Sequence, residues 1–242
     1  MTVVASTSLR LATHNAEVLL TALARVRGQE LIRRPGFLAM NGPKLLRVLV
    51  LGPDPEADDV TAIAELVAGA RGRVTVEDPF STVDGTPWRL APRPLPVMVR
   101  RPEPLPEPAL DVTRVTTAEE LAVAERTVLD GFPLPGFTAG EAFPVAFLDY
   151  GEARFHIVRR DGEVAGACLT IVDESAAGVY WVTTLPEHRS RGVGRALMHV
   201  VLNEVDDRPM TLSSAVAGKP LYDSLGFETV GSATWWSTSE AS

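Results

Sequence analysis

The chain has 242 residues, of which 45% are hydrophobic and 22% charged, and it carries a net charge of −8 and a single cysteine. These values are typical of a globular protein with one large domain or two small ones, and they exclude a disulfide framework and a cluster of metal-binding thiolates. No apolar run is long enough to span a membrane and the N-terminus lacks a signal-peptide pattern, so we expect a cytoplasmic protein without a membrane partner.

The first hundred residues alternate between helical and strand-like patterns. Apolar periodicity predicts two helices and four strands in this part of the chain. The predicted helices are 15–26 and 58–70, and the predicted strands are 36–40, 46–51, 73–77 and 96–100.

A proline-rich stretch separates this part from the rest of the chain. Residues 91–108 contain seven of the nineteen prolines. Because proline fixes φ and lacks an N–H donor, residues 101–109 are predicted to form an extended, semi-rigid connector. The same composition also fits a proline-rich ligand for another protein, but its place between two globular parts favours the connector.

The remaining residues again predict an α/β order, now with hairpins. Thr116 and Thr117, followed by two acidic residues, are suited to start a helix, and Asp161-Gly162 is typical of a hairpin turn. Cys168 lies in an apolar strand-like run and is interpreted as a buried structural thiol. Helices are predicted at 118–129, 193–205 and 219–225, and strands at 111–115, 153–160, 166–172, 178–184, 210–215 and 228–236.

The charge is distributed unevenly along the chain. Residues 1–109 hold 13 basic and 12 acidic side chains, whereas residues 110–242 hold 10 and 19. Three of the ten basic groups lie close together as Arg189, Arg191 and Arg195. An acidic body with one cationic spot does not suit a polyanion, so we expect no nucleic-acid partner. It suits one small phosphorylated ligand together with a cationic second partner.

The segment 181–198 is the most informative part of the sequence. A β-branched strand leads through Pro186 into a turn with Gly192 and Gly194, and then into an apolar helix. This order exposes backbone N–H groups at a helix N-terminus, where the helix dipole favours an anion, and glycine lets a ligand approach the backbone. The turn is neither a Walker A loop nor a complete dinucleotide fingerprint. Taken alone, it fits a phosphate site and an ordinary surface turn about equally well.

Two blocks of residues resemble a known family. Arg189-x-x-Gly192-x-Gly194, which follows a strand ending at Pro186, resembles the acyl-CoA loop of the GNAT superfamily of N-acyltransferases. The block 221–227, with the pattern Leu-Tyr-x-x-Leu-Gly-Phe, resembles a second GNAT segment at the matching distance. The resemblance covers residues 110–242, and the sequence departs from it at Ala215, where the family has Asn.

The resemblance implies the fold class. We expect a GNAT-like α/β domain at 110–242, with a mixed, mostly antiparallel sheet and a splayed parallel pair of strands flanked by helices. When Pro53 is aligned with Pro186, the order strand, proline, turn, helix and strand occurs twice. We therefore interpret residues 1–100 as a smaller, degenerate GNAT-like lobe, so that the chain is a tandem repeat. The other interpretation is coincidence, because this order is common in α/β proteins.

The loop of the first lobe differs from that of the second in charge. Glu56, Asp58, Asp59 and Thr61 align with Arg189, Arg191, Gly192 and Gly194. These three acidic groups and Asp54 would repel a pyrophosphate, so this lobe is not expected to bind CoA. They are expected to cap the following helix instead.

The resemblance also implies the site residues. The turn would hold the CoA diphosphate, the preceding strand would pair with the pantetheine arm, and a backbone N–H near Val182 would polarise the thioester carbonyl. The implied CoA-binding residues are Val182, Thr183, Thr184, Arg189, Ser190, Arg191, Gly192, Val193, Gly194 and Arg195. Tyr222 is the implied catalytic proton donor to the leaving thiolate, and its other interpretation is a tyrosine packed in the core. No metal site is expected.

Other site roles stay open at this stage. Four side chains are conceivable general bases, namely Glu141, Asp149, Glu174 and His188. Trp235 and Trp236 alternate on the last predicted strand, so one is expected to face the core and the other to line the acceptor cleft.

The predicted function is N-acyltransfer, most simply of acetyl from acetyl-CoA to an amine, by direct attack in a ternary complex. The acceptor is expected to be a small-molecule or peptide amine, and the acidic second part favours a cationic one. The alternative is a non-catalytic acyl-CoA-binding or regulatory module. The oligomeric state stays open, with a homodimer as one option.

Overall fold

A computed structural model describes residues 3–132, 134 and 136–239. The described helices are α1 (Val3–Val26), α2 (Ala57–Gly69), α3 (Ala118–Gly131), α4 (Val193–Asn203) and α5 (Lys219–Ser224). The described strands are β1 (Glu30–Arg33), β2 (Phe37–Asn41), β3 (Leu45–Val50), β4 (Arg73–Asp78), β5 (Ala91–Arg100), β6 (Asp111–Arg114), β7 (Ala153–Arg160), β8 (Glu163–Val172), β9 (Ala177–Thr184), β10 (Met210–Ser213) and β11 (Glu228–Ser237).

Packing divides the chain into two units. The first contains the described residues up to Val99 together with those from Ser213 onward, and the second is Arg100–Leu212. The division after Val99 lies next to the connector predicted at 101–109. The last thirty residues of the chain, in contrast, group with the N-terminal lobe and not with the segment that precedes them. The predicted division into 1–100, 101–109 and 110–242, as separate domains, stays a prediction.

The first unit has the strand order β1-β2-β3-β4-β11-β5. Only β3 and β4 run parallel among these pairs, and the crossover between them contains α2. Strand β11, from the end of the chain, lies antiparallel to both β4 and β5. It therefore separates two strands that are neighbours in the sequence.

The second unit has the strand order β10-β9-β8-β7-β6. Strands β6 to β9 are antiparallel, whereas β9 and β10 are parallel and are joined through α4. Both α3 and α4 pack against β8. The sequence β2-β3-α2-β4 in the first unit thus has the same order and strand directions as β8-β9-α4-β10 in the second. The predicted mixed, mostly antiparallel α/β fold with a second GNAT-like lobe is confirmed.

The core of the first unit forms on both sides of its strands. A large cluster joins β2, β3 and β4 to α2, with Val48 and Val76 fully buried. Trp236 belongs to this cluster, whereas Trp235 packs against a second cluster around Leu9 of α1. The two tryptophans therefore face opposite sides, as the alternation predicted. The expectation that the other one lines an acceptor cleft stays a prediction, since Trp235 is only partly buried.

The prolines of β5 do not interrupt its pairing with β11. Pro92, Pro94 and Pro96 lie two residues apart, so all three present the same backbone edge. The carbonyl of Pro96 accepts a hydrogen bond from the N–H of Ser214, which is not part of β11. The missing N–H groups consequently point away from β11, and no bond of that ladder is lost. The strand thus begins at Ala91, five residues before the predicted start.

The connector is held against the second unit by named contacts. Arg100 is buried and donates to the carbonyls of Arg101 and Glu103, at 3.2 and 2.7 Å. Desolvation by burial lowers the pKa of the Arg100 guanidinium. Further along, the side chain of Asn203 in α4 both donates to and accepts from the backbone of Leu105. The connector is therefore fixed by hydrogen bonds as well as by its prolines.

Candidate active site

Strands β9 and β10 pair only at their beginnings. The paired positions are Ala177 with Met210 and Gly178 with Thr211. On its other side β9 stays paired with β8 as far as Gly166 and Thr184. Within the second unit, the last residues of β9 consequently have a strand neighbour on one side only. This is the splayed parallel pair that the resemblance to the GNAT superfamily implied.

A β-bulge interrupts β9 inside the splayed part. The register shifts between Tyr180 and Thr183, so Trp181 and Val182 both lie opposite Cys168 of β8. Trp181 has a positive φ of 49°, and its carbonyl accepts from the Thr183 hydroxyl at 2.9 Å. A bulge bends its strand and redirects backbone groups. The backbone near Val182, where the sequence predicted a donor to a carbonyl, is therefore not in ordinary strand geometry.

The chain after β9 forms the predicted turn. Leu185 still pairs with β8 through Ala165, a short 3₁₀ turn follows at Pro186–His188, and α4 starts at Val193. Gly192 occupies the N-cap of α4 with a φ of 82° and no capping side chain. Among the described residues, the N–H groups of Val193 and Gly194 have no hydrogen-bond partner. A helix N-terminus of this kind is suited to bind an anion.

The cationic side chains lie around this helix start. Arg189, Arg191 and Arg195 are all exposed, as is Ser190. Arg195 lies within the first turn of α4, so its charge and the positive end of the helix dipole act at the same place. The structure thus brings the residues predicted at 189–195 together in one turn, directly after 182–184.

Gly166 is a contributor to this turn that the sequence did not reveal. A β-carbon at Gly166 would lie 2.9 Å from Val193 Cγ1 and would collide with the Thr183 carbonyl. Val193 is buried, at 1% exposure, so it fixes the first turn of α4 against β8. The missing side chain at Gly166 makes room for that contact. A glycine within a strand is the only sequence signal, and it indicates a close approach without naming the partner.

Tyr222 belongs to the first unit. It lies in α5, its side chain is 9% exposed, and its ring centroid is 5.7 Å from that of Phe227 in an edge-to-face arrangement. The aromatic ring of Tyr222 is thus packed in the core of this unit. The predicted proton transfer from its hydroxyl stays a prediction.

The four conceivable bases differ in burial. Glu141, Asp149 and Glu174 are exposed, and Glu141 accepts from the N–H of Thr138 at 2.8 Å. His188 is buried, and among the described residues its Nδ1 has no hydrogen-bond partner. His188 thus differs in burial from the three carboxylates, which are exposed to solvent.

Cys168 is fully buried, which supports its interpretation as a structural thiol. Burial raises the pKa of its thiol, and the nearby charge of Glu204 raises that pKa further. Glu204 itself accepts a hydrogen bond from the buried His156 at 3.0 Å, and this bond lowers the pKa of the Glu204 carboxyl. A thiol that stays protonated is not a nucleophile.

An aromatic cluster lies beside the bulge of β9, and the sequence did not predict it. The ring of Phe143 is 5.2 Å from that of Trp181 and 4.9 Å from that of Phe155, and Phe147 is 5.4 Å from Phe155. These residues come from three separate segments, so no periodic spacing could have indicated the cluster.

The corresponding loop of the first unit is built differently. Asp59 is buried in the first turn of α2 and forms an ion pair with Arg34 at 3.0 Å, directly over Gly36. Glu56 occupies the N-cap position of α2 but makes no side-chain hydrogen bond there. The expectation that Glu56 caps the helix through its side chain is therefore wrong, although Asp58 and Asp59 do lie in the first turn.

Two further observations concern the described residues as a whole. No helix among them is both long enough and apolar enough to cross a bilayer. They also contain no group of three or more His, Cys, Asp or Glu side chains placed to hold a metal ion.

Known proteins share this architecture. Residues 137–235 match the family model described as the acetyltransferase (GNAT) domain. No curated protein sequence matches the chain at a significant level. Among solved structures, a GCN5-related N-acetyltransferase from Kribbella flavida is similar over 95% of this chain and 96% of its own, with 16% identity and a TM-score of 0.67.

Two more solved structures are similar over most of the chain. One is a GCN5-related N-acetyltransferase from Sphaerobacter thermophilus, with 19% identity, a TM-score of 0.55, and coverage of 84% of this chain and 76% of that one. The other is a tandem GNAT protein from the clavulanic acid biosynthesis pathway, with 15% identity, a TM-score of 0.50, and coverage of 86% and 81%. At these identities the structures establish the fold. The match to the acetyltransferase (GNAT) family model covers 99 of the 242 residues, all within the C-terminal half of the chain.

Proposed function

We propose that the protein transfers an acetyl group from acetyl-CoA to an amine. The observation that carries this proposal is the end of β9, where a splayed, bulged strand edge runs directly into a cationic helix N-terminus. A thioester of CoA has matching parts in the same order, since its acyl group and pantetheine arm lead to a diphosphate. A GNAT domain uses acetyl-CoA as its co-substrate, which supports the same conclusion.

Each part of the cofactor has a group suited to it. The N–H groups at the start of α4, with Arg189 and Arg191, would bind the diphosphate. The free edge of β9 at 182–184 would pair with the amide groups of the pantetheine arm. A backbone N–H near Val182 would stabilise the carbonyl oxygen as the transition state places negative charge on it.

The reaction requires a neutral amine as the nucleophile and a proton donor for the departing thiolate. The amine nitrogen attacks the thioester carbon, the C–S bond breaks, and the acetyl group becomes an amide. Tyr222 is proposed to give its phenolic proton to the departing sulfur. The proton lost by the amine goes to a base or to water.

The acceptor is proposed to be a small-molecule or peptide amine. Residues 110–242 hold almost twice as many acidic as basic side chains, and three of the basic ones belong to the turn at 189–195. A surface of this charge attracts cations and repels polyanions. A polyamine or a lysine-containing peptide therefore suits it better than an acidic amine.

Release of free thiol from acetyl-CoA in the presence of an amine panel tests the proposal. Turnover that depends on both the amine and acetyl-CoA is the expected result. If CoA binds but no amine in a panel of polyamines, amino sugars and peptides is acetylated, the chain is an acyl-CoA-binding module instead.

A further inference from the structure

Glu125 is a buried carboxylate with an unusual set of partners. It lies on α3 and is 2% exposed. One of its oxygens accepts from the N–H of Gly140 at 2.6 Å, and the other accepts from the N–H groups of Ala142 and Phe143, at 2.8 and 2.9 Å. Three backbone donors on one buried carboxylate hold the loop 140–143 in a single conformation, because losing them would leave the charge without compensation.

The loop that Glu125 holds presents one ring to β9. Phe143 is 2% exposed, and its ring packs against Trp181 with a centroid distance of 5.2 Å. Phe155 of β7 supports the same ring from another side at 4.9 Å. Trp181 is the residue with positive φ in the β9 bulge. A residue in that conformation is strained unless its surroundings fix it, and the Phe143 ring is one of the groups that does so.

We propose that Glu125 is a positioning residue for the acyl carbonyl. Through the loop and the Phe143 ring, it fixes Trp181 and hence the direction of the backbone N–H groups in the bulge. This inference rests on the proposed function, because it is the thioester carbonyl that those groups would bind. Glu125 itself touches no reacting atom.

The experiment compares the affinities of acetyl-CoA and CoA. The two ligands share the nucleotide, the diphosphate and the pantetheine arm, so their ratio of dissociation constants isolates the acyl group. In Glu125→Gln, the amide keeps one acceptor oxygen but turns an N–H donor toward a backbone N–H. The preference for acetyl-CoA over CoA is expected to fall by about two- to tenfold, the range for loss of one hydrogen bond. Affinity for CoA itself should change little.

Glu120→Gln is the matched control. Glu120 also lies on α3 and also accepts backbone N–H bonds, from Thr116 at 2.8 Å and Thr117 at 3.1 Å. It does so in a capping box at the N-terminus of the helix, whereas Glu125 lies near the middle. If Glu125 only stabilises α3, both variants should lower the melting temperature and leave the affinity ratio unchanged.

A second variant keeps the test decisive. Phe143→Leu preserves the hydrogen bonds of Glu125 but removes the ring against Trp181, and it should lower the affinity ratio in the same way. A wild-type ratio in folded Glu125→Gln overturns the proposal, and if that variant does not fold, a wild-type ratio in Phe143→Leu does so. Turnover is measured in a separate assay. If the wild-type protein acetylates no amine, the proposed function is contradicted, but the ratio of the two affinities still tests the role of Glu125.

Discussion

Gly192 shows how a single residue controls the start of α4. Its φ of 82° lies in the left-handed region, and a β-carbon there would have no atom within 4 Å. A replacement is therefore opposed by backbone conformation and not by crowding, at a cost of about 1 to 2 kcal/mol. The chain would relieve that strain by rotating the turn, and the N–H groups at 193–194 would move with it. Glycine is therefore needed here for its backbone conformation, which sets the direction of the N–H groups at the helix start.

Arg191→Glu tests the anion site by reversing one charge beside that helix start. Arg191 is exposed, so the substitution should leave the fold intact. We expect the affinity for CoA to fall at least about tenfold, because a charge-assisted contact to the diphosphate is replaced by repulsion. Calorimetric titration with CoA measures the change.

Arg126→Glu is the control for that variant, since Arg126 is exposed on α3 and makes the same change in net charge. An equal loss of affinity in both variants would indicate a general electrostatic effect. Unchanged affinity in Arg191→Glu would contradict the assignment of the turn to the diphosphate.

Tyr222→Phe separates packing from chemistry at one side chain. The ring contact with Phe227 is kept in the variant, so its melting temperature should stay close to that of the wild type. If the hydroxyl protonates the leaving thiolate, kcat should fall by about 10²- to 10⁴-fold while the affinity for CoA is retained. Steady-state kinetics together with CoA titration measures both. Tyr150→Phe provides the control, and wild-type turnover in Tyr222→Phe would leave the tyrosine with a packing role only.

The two parallel strand pairs explain at the level of elements why the lobes differ. Strands β9 and β10 share two paired positions, whereas β3 and β4 are paired over five, from Leu45 with Arg73 to Leu49 with Glu77. An ion pair between Arg47 and Glu77 also links β3 to β4. Between β3 and β4, a pantetheine arm therefore has no free strand edge to pair with. The pairing of β3 with β4 therefore adds to the acidic loop as a reason to expect no CoA binding in the first lobe.

One CoA per chain is the expected stoichiometry. Calorimetry on the wild type should give a single site, and Arg191→Glu should weaken that site without revealing another. Two molecules per chain, with only one of the two sites weakened in Arg191→Glu, would show that the first lobe binds CoA despite its paired strands.

How far the sequence predicts these elements depends on how local their causes are. The segment 178–205 is specified by neighbouring residues, since β-branched residues, Pro186, two glycines and an apolar periodicity follow one another, and its strand, turn and helix are found where predicted. Strand β1 was missed because it is an exposed edge strand without alternation in burial. Helix α1 begins twelve residues before its predicted start, because contacts with β1, β2, β3 and β11 support it beyond its own weak signal.

The candidate site shows the same division between local and distant causes. The cationic turn and the splay of β9 and β10 were predicted from one stretch of sequence and its resemblance. The contacts of Glu125 with the loop 140–143 were not, since a glutamate in an apolar helix carries no mark of a partner fifteen residues later. The bulge at Trp181 also escaped prediction, because register depends on the neighbouring strand as much as on the strand itself.

For the whole molecule, the order of strands in the first unit differs from their order along the chain. Strand β11 lies between β4 and β5, and it pairs with β5 from Glu228 to Ser237 and with β4 from Thr234 to Ser237. The side chain of Trp236 on β11 packs into the core of this unit, where it is 8% exposed among residues of β2, β3 and β4. The residues up to Val99 and the last strand therefore belong to one packed unit.

This arrangement predicts the behaviour of the chain when it is cut at the connector. A fragment of residues 110–242 contains β11 but neither of its neighbours, so both edges of that strand and the Trp236 side chain would be exposed. We expect the fragment alone to aggregate or to melt well below the full chain.

Co-expression with a fragment of residues 1–109 should restore the full-length melting temperature, because the two fragments together contain both strands that pair with β11. Differential scanning calorimetry and size-exclusion chromatography measure both outcomes. A fragment of residues 110–242 that is monomeric and melts like the full chain would contradict the prediction and would show that the C-terminal half folds without β4 and β5.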